Sequence, residues 1–226
     1  MEVITLEDHI FTSPCNISVA GPTGSGKTSL VLGLLEYRQE LFNQPVAGVI
    51  YFYSEYQDAF AQIPGGETQL HQGLPTEEDL VNYISPFDKR HVVVVLDDLM
   101  SQVANSALLA DMFTKMSHHR NFSIINIAQN IYPPGRAART QSLNSAFYLL
   151  TRTCRDLRQI KDFGAQVFPG ESPSFVKAYM DAVDNPLETK YPPHLLVSCH
   201  PLTTKRSCQI TSNILPPGGT RVLYKL

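Results

Sequence analysis

The most constraining feature of the sequence is a glycine-rich segment between an apolar run and a helical pattern. It reads Gly21-Pro-Thr-Gly-Ser-Gly-Lys-Thr28 and follows the strand-like residues 16–20. Residues 29–42 carry apolar side chains at helical spacing, which predicts a helix. The pattern GxxxxGK[ST] lets backbone N–H groups face phosphates, and the helix N-terminus adds positive charge. The segment therefore predicts a P-loop, the phosphate-binding turn of many nucleoside triphosphatases.

Each residue of the predicted P-loop has an expected task. Lys27 should reach the β- and γ-phosphates, and the Thr28 hydroxyl should bind a Mg²⁺ ion that bridges them. The backbone amides should cradle the phosphates. The cofactors expected from this arrangement are ATP and Mg²⁺. The predicted nucleotide-binding residues are Gly21, Pro22, Thr23, Gly24, Ser25, Gly26, Lys27, Thr28 and Ser29.

An acidic pair at the end of an apolar run supplies the second half of such a site. Residues 92–96 precede Asp97 and Asp98, and a continuously apolar strand is typical of one covered on both faces. We expect Asp97 to hold Mg²⁺ through a coordinated water and Asp98 to orient or deprotonate the attacking water. Asp98 is one methylene shorter than the Glu of many ATPases. Its alternative task is to cap the following segment.

Gln129 ends the next predicted strand, residues 122–129. Its amide could contact both the γ-phosphate and the attacking water if this strand lies between the P-loop strand and the acidic strand. Otherwise it is an ordinary strand-end glutamine. Phosphoryl transfer also gains from a cation at the developing charge. Arg120, before this strand, and Arg136 or Arg139, after it, are candidates to supply that cation from a neighbouring subunit.

The whole chain predicts an α/β fold with a mainly parallel sheet flanked by helices, because strand-like and helical segments alternate. A length of 226 residues fits one domain. We expect a core of about residues 12–165 and an extension of about 166–226 that adds C-terminal strands. Further strands are predicted at 47–54, 145–151, 194–199, 208–215 and 220–226, and further helices at 76–84, 105–118, 152–168 and 174–183, the last capped by Ser172 or Ser174.

Charge and cysteine content narrow the function and the compartment. A net charge of −3 excludes a protein that coats nucleic acid indiscriminately, although the stretch from Lys115 to Lys161 is strongly basic. That stretch is either a polyanion-binding face or a solvated helix face. The cysteines lack metal-ligand spacing, and no apolar run is long enough to span a bilayer. We therefore expect Cys15, Cys154, Cys199 and Cys208 to be reduced thiols. We also expect an intracellular protein that does not bind to or cross a membrane.

The order of these motifs resembles the FtsK/HerA superfamily. The specific parts are the acidic pair, the His-His-Arg120 segment before the strand that ends in Gln129, and the runs FYLLTRTCRDLRQIKDFGAQVFPG and SFVKAYMDAV. These are most similar to the poxvirus-type genome-packaging ATPases of double-stranded DNA viruses and their polinton-like relatives. The resemblance extends from Asn16 to about Ile214.

This resemblance implies a RecA-like core that assembles as a ring, usually a hexamer. Such a ring threads double-stranded DNA and couples ATP hydrolysis to translocation into a preformed capsid. The resemblance implies the same roles for Lys27, Thr28, Asp97, Asp98 and Gln129 as those given above. Arg120 matches the arginine that the superfamily uses as a finger in trans, which favours it over Arg136 and Arg139.

The same resemblance implies partners and a location. The sequence shows no anchor, winged-helix or nuclease segment, so a bare motor is expected, which needs capsid proteins for targeting. DNA contact should be non-specific and salt-dependent. The pore loop is either Gln57–Pro86 or Asn130–Thr140. The expected location is the cytoplasm or nucleus of the host, or the virion.

Three other functions remain open at this point. A nucleotide or small-molecule kinase would share the P-loop and would be a monomer indifferent to DNA. A non-translocating nucleotide switch would turn over very slowly, and the presence of both Asp98 and Gln129 disfavours it. A superfamily-3 helicase fits the tyrosine- and arginine-rich continuation less well.

Overall fold

The structure is a computed structural model, which describes residues 2–4, 9–63, 67–99, 107–184, 187, 189–199 and 209–226. Within these residues, ten strands form one sheet. The strands are β1 (Glu2–Ile4), β2 (Asn16–Ala20), β3 (Gly48–Tyr53), β4 (Glu67–Gln72), β5 (Val92–Asp97), β6 (Phe122–Ala128), β7 (Phe147–Thr151), β8 (His194–Ser198), β9 (Gln209–Ser212) and β10 (Arg221–Tyr224).

The strand order confirms the predicted α/β class with a mainly parallel core. The order across the sheet is β1-β10-β9-β8-β7-β2-β6-β5-β3-β4. The six neighbours from β7 to β4 are parallel, and the other four add on as antiparallel strands. The C-terminal strands therefore extend a parallel core. The division of one domain near residue 165 stays a prediction.

The register brings the ends of the central strands to one edge of the sheet. Ala20 of β2 pairs with Ala128 of β6 and with Leu150 of β7. Asp97 of β5 pairs with Ile127 of β6. All residues of β2, β5 and β6 are buried, as expected for strands covered on both faces. Residues that follow these strands therefore meet at the carboxyl edge.

Helices surround the sheet and bury its apolar faces. One buried cluster joins Leu34 to Ile17 and Val95, and another joins Phe113 to Val94 and Ile124. A π-helical turn, Met112–Met116, separates two of the helical segments. The α-helices are α1 (Lys27–Glu36), α2 (Arg38–Leu41), α3 (Glu77–Ile84), α4 (Ala107–Asp111), α5 (Ser117–His119), α6 (Arg136–Asn144), α7 (Leu157–Val167) and α8 (Ser172–Asp184).

Two predicted segments contain more structure than the sequence indicated. Residues 57–86 include the predicted α3 with its Thr76 cap, but also a 3₁₀ helix at Asp58–Gln62 and the edge strand β4. β4 is polar and only partly buried, so it lacks the alternation of a half-buried strand. The predicted loop 130–140 contains the start of α6, which begins directly after Gly135.

Three helix boundaries also differ from the predictions. The helix expected at 29–42 breaks at Tyr37, where φ is −108° and ψ is 26°. The helix expected from 152 begins at Leu157, because the Asp156 side chain accepts a hydrogen bond from the Gln159 amide and caps it. The capping prediction for α8 was wrong for both serines, since Ser172 is the first residue of the helix, with its hydroxyl donating to the Lys161 carbonyl, and Ser174 lies within the helix.

Candidate active site

The P-loop leaves β2 at the carboxyl edge of the sheet and ends where the ten-residue helix α1 begins at Lys27. Gly24 and Gly26 have φ values of 79° and 85°, a conformation that other residues rarely adopt. A Cβ at position 26 would also lie 2.6 Å from Cγ of Pro192. The glycines therefore permit a tight turn in which backbone N–H groups gather at the N-terminus of α1. Such an arrangement readily binds an anion.

Lys27 lies across the loop and beside the acidic pair. Its Nζ donates a hydrogen bond to the Pro22 carbonyl oxygen, 2.8 Å away. Burial lowers the pKa of Lys27, while the charges of Asp98 and Asp97 raise it. The structure thus places the predicted lysine next to both predicted acids.

Asp97 is the last residue of β5 and is only 4% exposed. The Tyr51 hydroxyl of neighbouring β3 donates to Asp97 Oδ2 over 2.7 Å, and the Thr28 side chain also hydrogen-bonds to this carboxylate. Burial raises the pKa of Asp97, and the hydrogen bond from Tyr51 lowers it. Two groups whose oxygen atoms can ligate a metal ion, the hydroxyl of Thr28 and the carboxylate of Asp97, therefore lie side by side. Such a pair suits a hard divalent cation such as Mg²⁺.

Asp98 and Gln129 face each other at the ends of adjacent strands. Gln129 Nε2 donates to Asp98 Oδ1 over 3.2 Å, and both side chains are exposed. Asp98 has a φ of 52°, which turns the chain sharply after β5. β6 does lie between β2 and β5, the arrangement on which the role of Gln129 depends.

A cavity of about 400 Å³ opens between these groups. Beside Lys27, Thr28, Asp97, Asp98 and Gln129, its lining consists of Thr23, Gly24, Gly26, Ser29, Gln57 and Ile127. The sequence analysis did not predict Gln57 as a residue of this site, although it follows β3 and so lies at the same edge of the sheet. That position is the signal that could have found it.

Thr151, at the end of β7, supports the P-loop and was also missed. Its Oγ1 lies 2.7 Å from Ser25 Oγ and donates to the Ala20 carbonyl over 3.2 Å. A Cβ at Gly21 would lie 2.0 Å from the same Oγ1. Nothing in the sequence pairs β7 with β2, so this contact could not be read from the residues alone.

Two of the three candidate arginine fingers, Arg120 and Arg139, lie apart from this cavity. Arg120 is exposed at the end of α5, before β6, whereas Gln129 follows β6. The strand spans about 20 Å between the two edges of the sheet. Arg139 lines a separate cavity with Tyr132. The side chain of Arg136 lies outside the described part of the chain.

Cysteines and hydropathy add three observations. Cys15 is buried, Cys154 is exposed and Cys199 is half-buried, and none of the three forms a disulfide among the described residues, outside which Cys208 lies. In the part of the chain that the structure describes, no group of three His, Cys, Asp or Glu side chains is arranged for a metal. No helix among the described residues is long and apolar enough to cross a membrane.

A buried parallel sheet with a P-loop at its carboxyl edge, a glutamine after the adjacent strand and an acidic pair at the end of the strand beyond it define a P-loop ATPase. The sequence profile of the family described as Poxvirus A32 protein matches residues 5–142, more than half of the chain. The chain therefore belongs to the poxvirus A32 family, which confirms the predicted poxvirus-type resemblance. No curated protein matches the sequence.

Solved structures with the same fold include those of a viral genome packaging NTPase. The genome packaging NTPase B204 of Sulfolobus turreted icosahedral virus 2, in complex with ATP-gammaS, matches with a TM-score of 0.53 at 12% identity. The match covers 87% of this chain and 95% of that one. The complex of B204 with AMP matches with a TM-score of 0.51 at 10% identity, over 82% and 92% of the two chains. This likeness confirms the predicted fold.

Proposed function

We propose that this protein is an ATP-driven motor that moves double-stranded DNA into a viral capsid. The observation that carries the proposal is the convergence of Lys27, Asp97, Asp98 and Gln129 on one cavity at the carboxyl edge of the sheet. Family membership and the likeness to a genome packaging NTPase support the biological task. A charge-lined cavity beside a P-loop suits phosphoryl transfer.

The nucleotide-binding residues follow from this arrangement. ATP would lie with its phosphates against the P-loop amides from Gly21 to Ser29 and with Lys27 at its β- and γ-phosphates. Thr28 and Asp97 are the residues that would hold Mg²⁺, because their oxygen atoms lie side by side. When bound, Mg²⁺ neutralises charge on the phosphate oxygens.

The attacking water would be handled by Asp98 and Gln129. The Gln129 amide nitrogen already donates to Asp98, so its carbonyl oxygen is free to accept a hydrogen bond from water. Asp98 would then accept the proton that this water loses. Lys27 would stabilise the charge that develops on the transferred phosphoryl group.

A ring is required if Arg120 is the finger. One subunit's Arg120 lies at the amino edge of β6, while its own cavity lies at the carboxyl edge, about 20 Å away. Arg120 could therefore reach only the cavity of a neighbouring subunit. We propose a homo-oligomeric ring, a hexamer in the superfamily, with one cavity at each subunit interface.

The DNA and capsid contacts complete the proposal. The stretch from Lys115 to Lys161 is strongly basic despite the overall charge of −3. Contacts from such residues to phosphates position DNA without reading its sequence. Capsid proteins would target the motor to the site of virion assembly in the host cell.

Steady-state ATP hydrolysis with and without long double-stranded DNA tests this function. The assay uses low salt and a protein concentration at which rings assemble, with Lys27→Ala as the inactive control. We expect several-fold stimulation by DNA that fades as salt rises, because phosphate contacts release counterions. A rate that DNA does not change would contradict the motor and favour a kinase or a switch.

A further inference from the structure

The positions of the proposed catalytic residues indicate which way a bound nucleoside triphosphate would lie along the P-loop. Asp98 and Gln129, which would face the γ-phosphate, follow β5 and β6 on one side of β2. The phosphates follow the N–H groups of the P-loop. The nucleoside end must therefore leave the loop on the other side of β2, where β7 and β8 lie.

A second cavity, of about 670 Å³, lies on that side. Its walls are residues 22–25 of the P-loop, residues 152–155 after β7, and Pro193 before β8. Pockets for small molecules usually measure roughly 300–1,000 Å³. The cavity thus adjoins the tip of the P-loop and has the size of a ligand pocket.

Hydrogen bonds from Tyr179 hold in place the wall that residues 152–155 form after β7. The Tyr179 hydroxyl, which is fully buried, accepts a hydrogen bond from the Thr153 amide over 2.8 Å and donates to the Thr151 carbonyl over 2.9 Å. Ser25 of the P-loop is joined to Thr151 by a 2.7 Å hydrogen bond. These bonds fix the loop and the wall relative to each other.

The wall formed before β8 is fastened to α1. Pro192 packs against Gly26, where a Cβ would lie 2.6 Å from its Cγ. The Tyr191 hydroxyl donates to Glu36 Oε2 over 2.7 Å, and Lys190 Nζ lies 3.0 Å from Glu36 Oε1. The cavity is therefore formed by two supported walls before any ligand enters it.

Arg155 is the arginine of this cavity that forms no ion pair with a described residue. Arg152 pairs with Asp184 at 3.2 Å, and Arg158 pairs with Asp162 at 3.7 Å. Among the described residues, no carboxylate lies within ion-pair distance of Arg155, which is exposed. Its guanidinium group is free to pack on a base and to donate to hydroxyl groups.

We propose that this cavity is the nucleoside subsite and that Arg155 packs against the base and ribose of the bound nucleotide. The inference rests on the proposed function only in placing a nucleoside triphosphate with its phosphates on the P-loop.

Calorimetric titration with Mg·ATP and with Mg·tripolyphosphate separates the nucleoside from the phosphates. The variants are Arg155→Ala and, as a control three positions further along the chain, Arg158→Ala. We expect Arg155→Ala to weaken ATP binding about tenfold and to leave tripolyphosphate binding unchanged. Arg158→Ala should change neither. An equal loss for both ligands, or no loss for ATP, would overturn the assignment.

Cys154 gives a second readout that needs no substitution, since this exposed thiol lines the same cavity. ATP should slow its alkylation by a maleimide several-fold, as measured by peptide mass mapping, whereas tripolyphosphate should not. Alkylation at an unchanged rate with saturating ATP would refute the subsite. If Lys27→Ala bound ATP normally, the proposed function itself would fail, so the two failures are distinguishable.

Discussion

Gln129 donates a hydrogen bond to Asp98 over 3.2 Å, although the two residues lie 31 positions apart. The contact exists because β5 and β6 are neighbours and end at the same edge of the sheet. It places an amide and a carboxylate at the point where the proposed attacking water would lie.

Asp98→Asn should bind ATP and fail to hydrolyse it. The substitution preserves the shape of the side chain but removes the proton acceptor, which typically contributes a factor of about 100 to 10,000 in rate. Nucleotide affinity by titration and turnover by phosphate release measure the two properties separately. Turnover at the normal rate would remove Asp98 from the mechanism.

Tyr51→Phe should weaken Mg²⁺-dependent activity by about tenfold, because partners that orient a metal-binding carboxylate usually contribute 10- to 100-fold. The hydroxyl lies 2.7 Å from Asp97 Oδ2, and burial beside this acid raises the pKa of Tyr51, so the hydroxyl stays a donor. A titration of activity against Mg²⁺ concentration gives the affinity.

Tyr53→Phe is the matched control for that variant. The rings of Tyr51 and Tyr53 both pack against Phe60, with centroids 4.8 and 5.3 Å away. Of these two tyrosines, Tyr51 is the one whose hydroxyl is hydrogen-bonded to Asp97. Equal effects of the two substitutions would show that the Tyr51 hydroxyl does not position Asp97.

Arg120→Ala should bind ATP normally and lose about 1,000-fold in turnover, as expected for an arginine finger. Because its own cavity lies at the other edge of the sheet, activity should return partly when Arg120→Ala is mixed with Lys27→Ala. The intact cavity of one variant would then receive the arginine of the other. Arg139→Ala serves as the control. Absence of recovery at concentrations where rings form would contradict action in trans.

Gly26→Ala should lower the melting temperature of the nucleotide-free protein more than Gly24→Ala. Both positions have positive φ, so each substitution introduces backbone strain of about 1–3 kcal/mol. A Cβ at Gly26 would also collide with Pro192, whereas one at Gly24 meets nothing within 4 Å. Thermal unfolding of the two variants isolates this contact. Equal melting temperatures would argue against the close packing of Pro192 on the P-loop.

The positions of the groups proposed to act on phosphates were predictable, because local sequence patterns determine them. The P-loop needs only its own spacing between β2 and α1, and Asp97, Asp98 and Gln129 stand at the ends of strands that read clearly as buried. In a parallel sheet, such ends share one edge. Their roles remain predictions until the variants above are measured.

The supporting contacts were not predictable because they depend on which strands are neighbours. Tyr51 reaches Asp97 across 46 positions, and Thr151 reaches Ser25 across 126. A polar strand such as β4 and a polar helix such as α6 also give weak signals, because tertiary packing rather than an apolar pattern sets them.

The most direct test of the central claim is ATP-dependent displacement of a third strand bound to a long DNA duplex, because only movement along the duplex releases that strand. We predict release by the wild-type protein with ATP, and none with a non-hydrolysable analogue or with Lys27→Ala. Hydrolysis of ATP on this duplex without release of the third strand would contradict translocation.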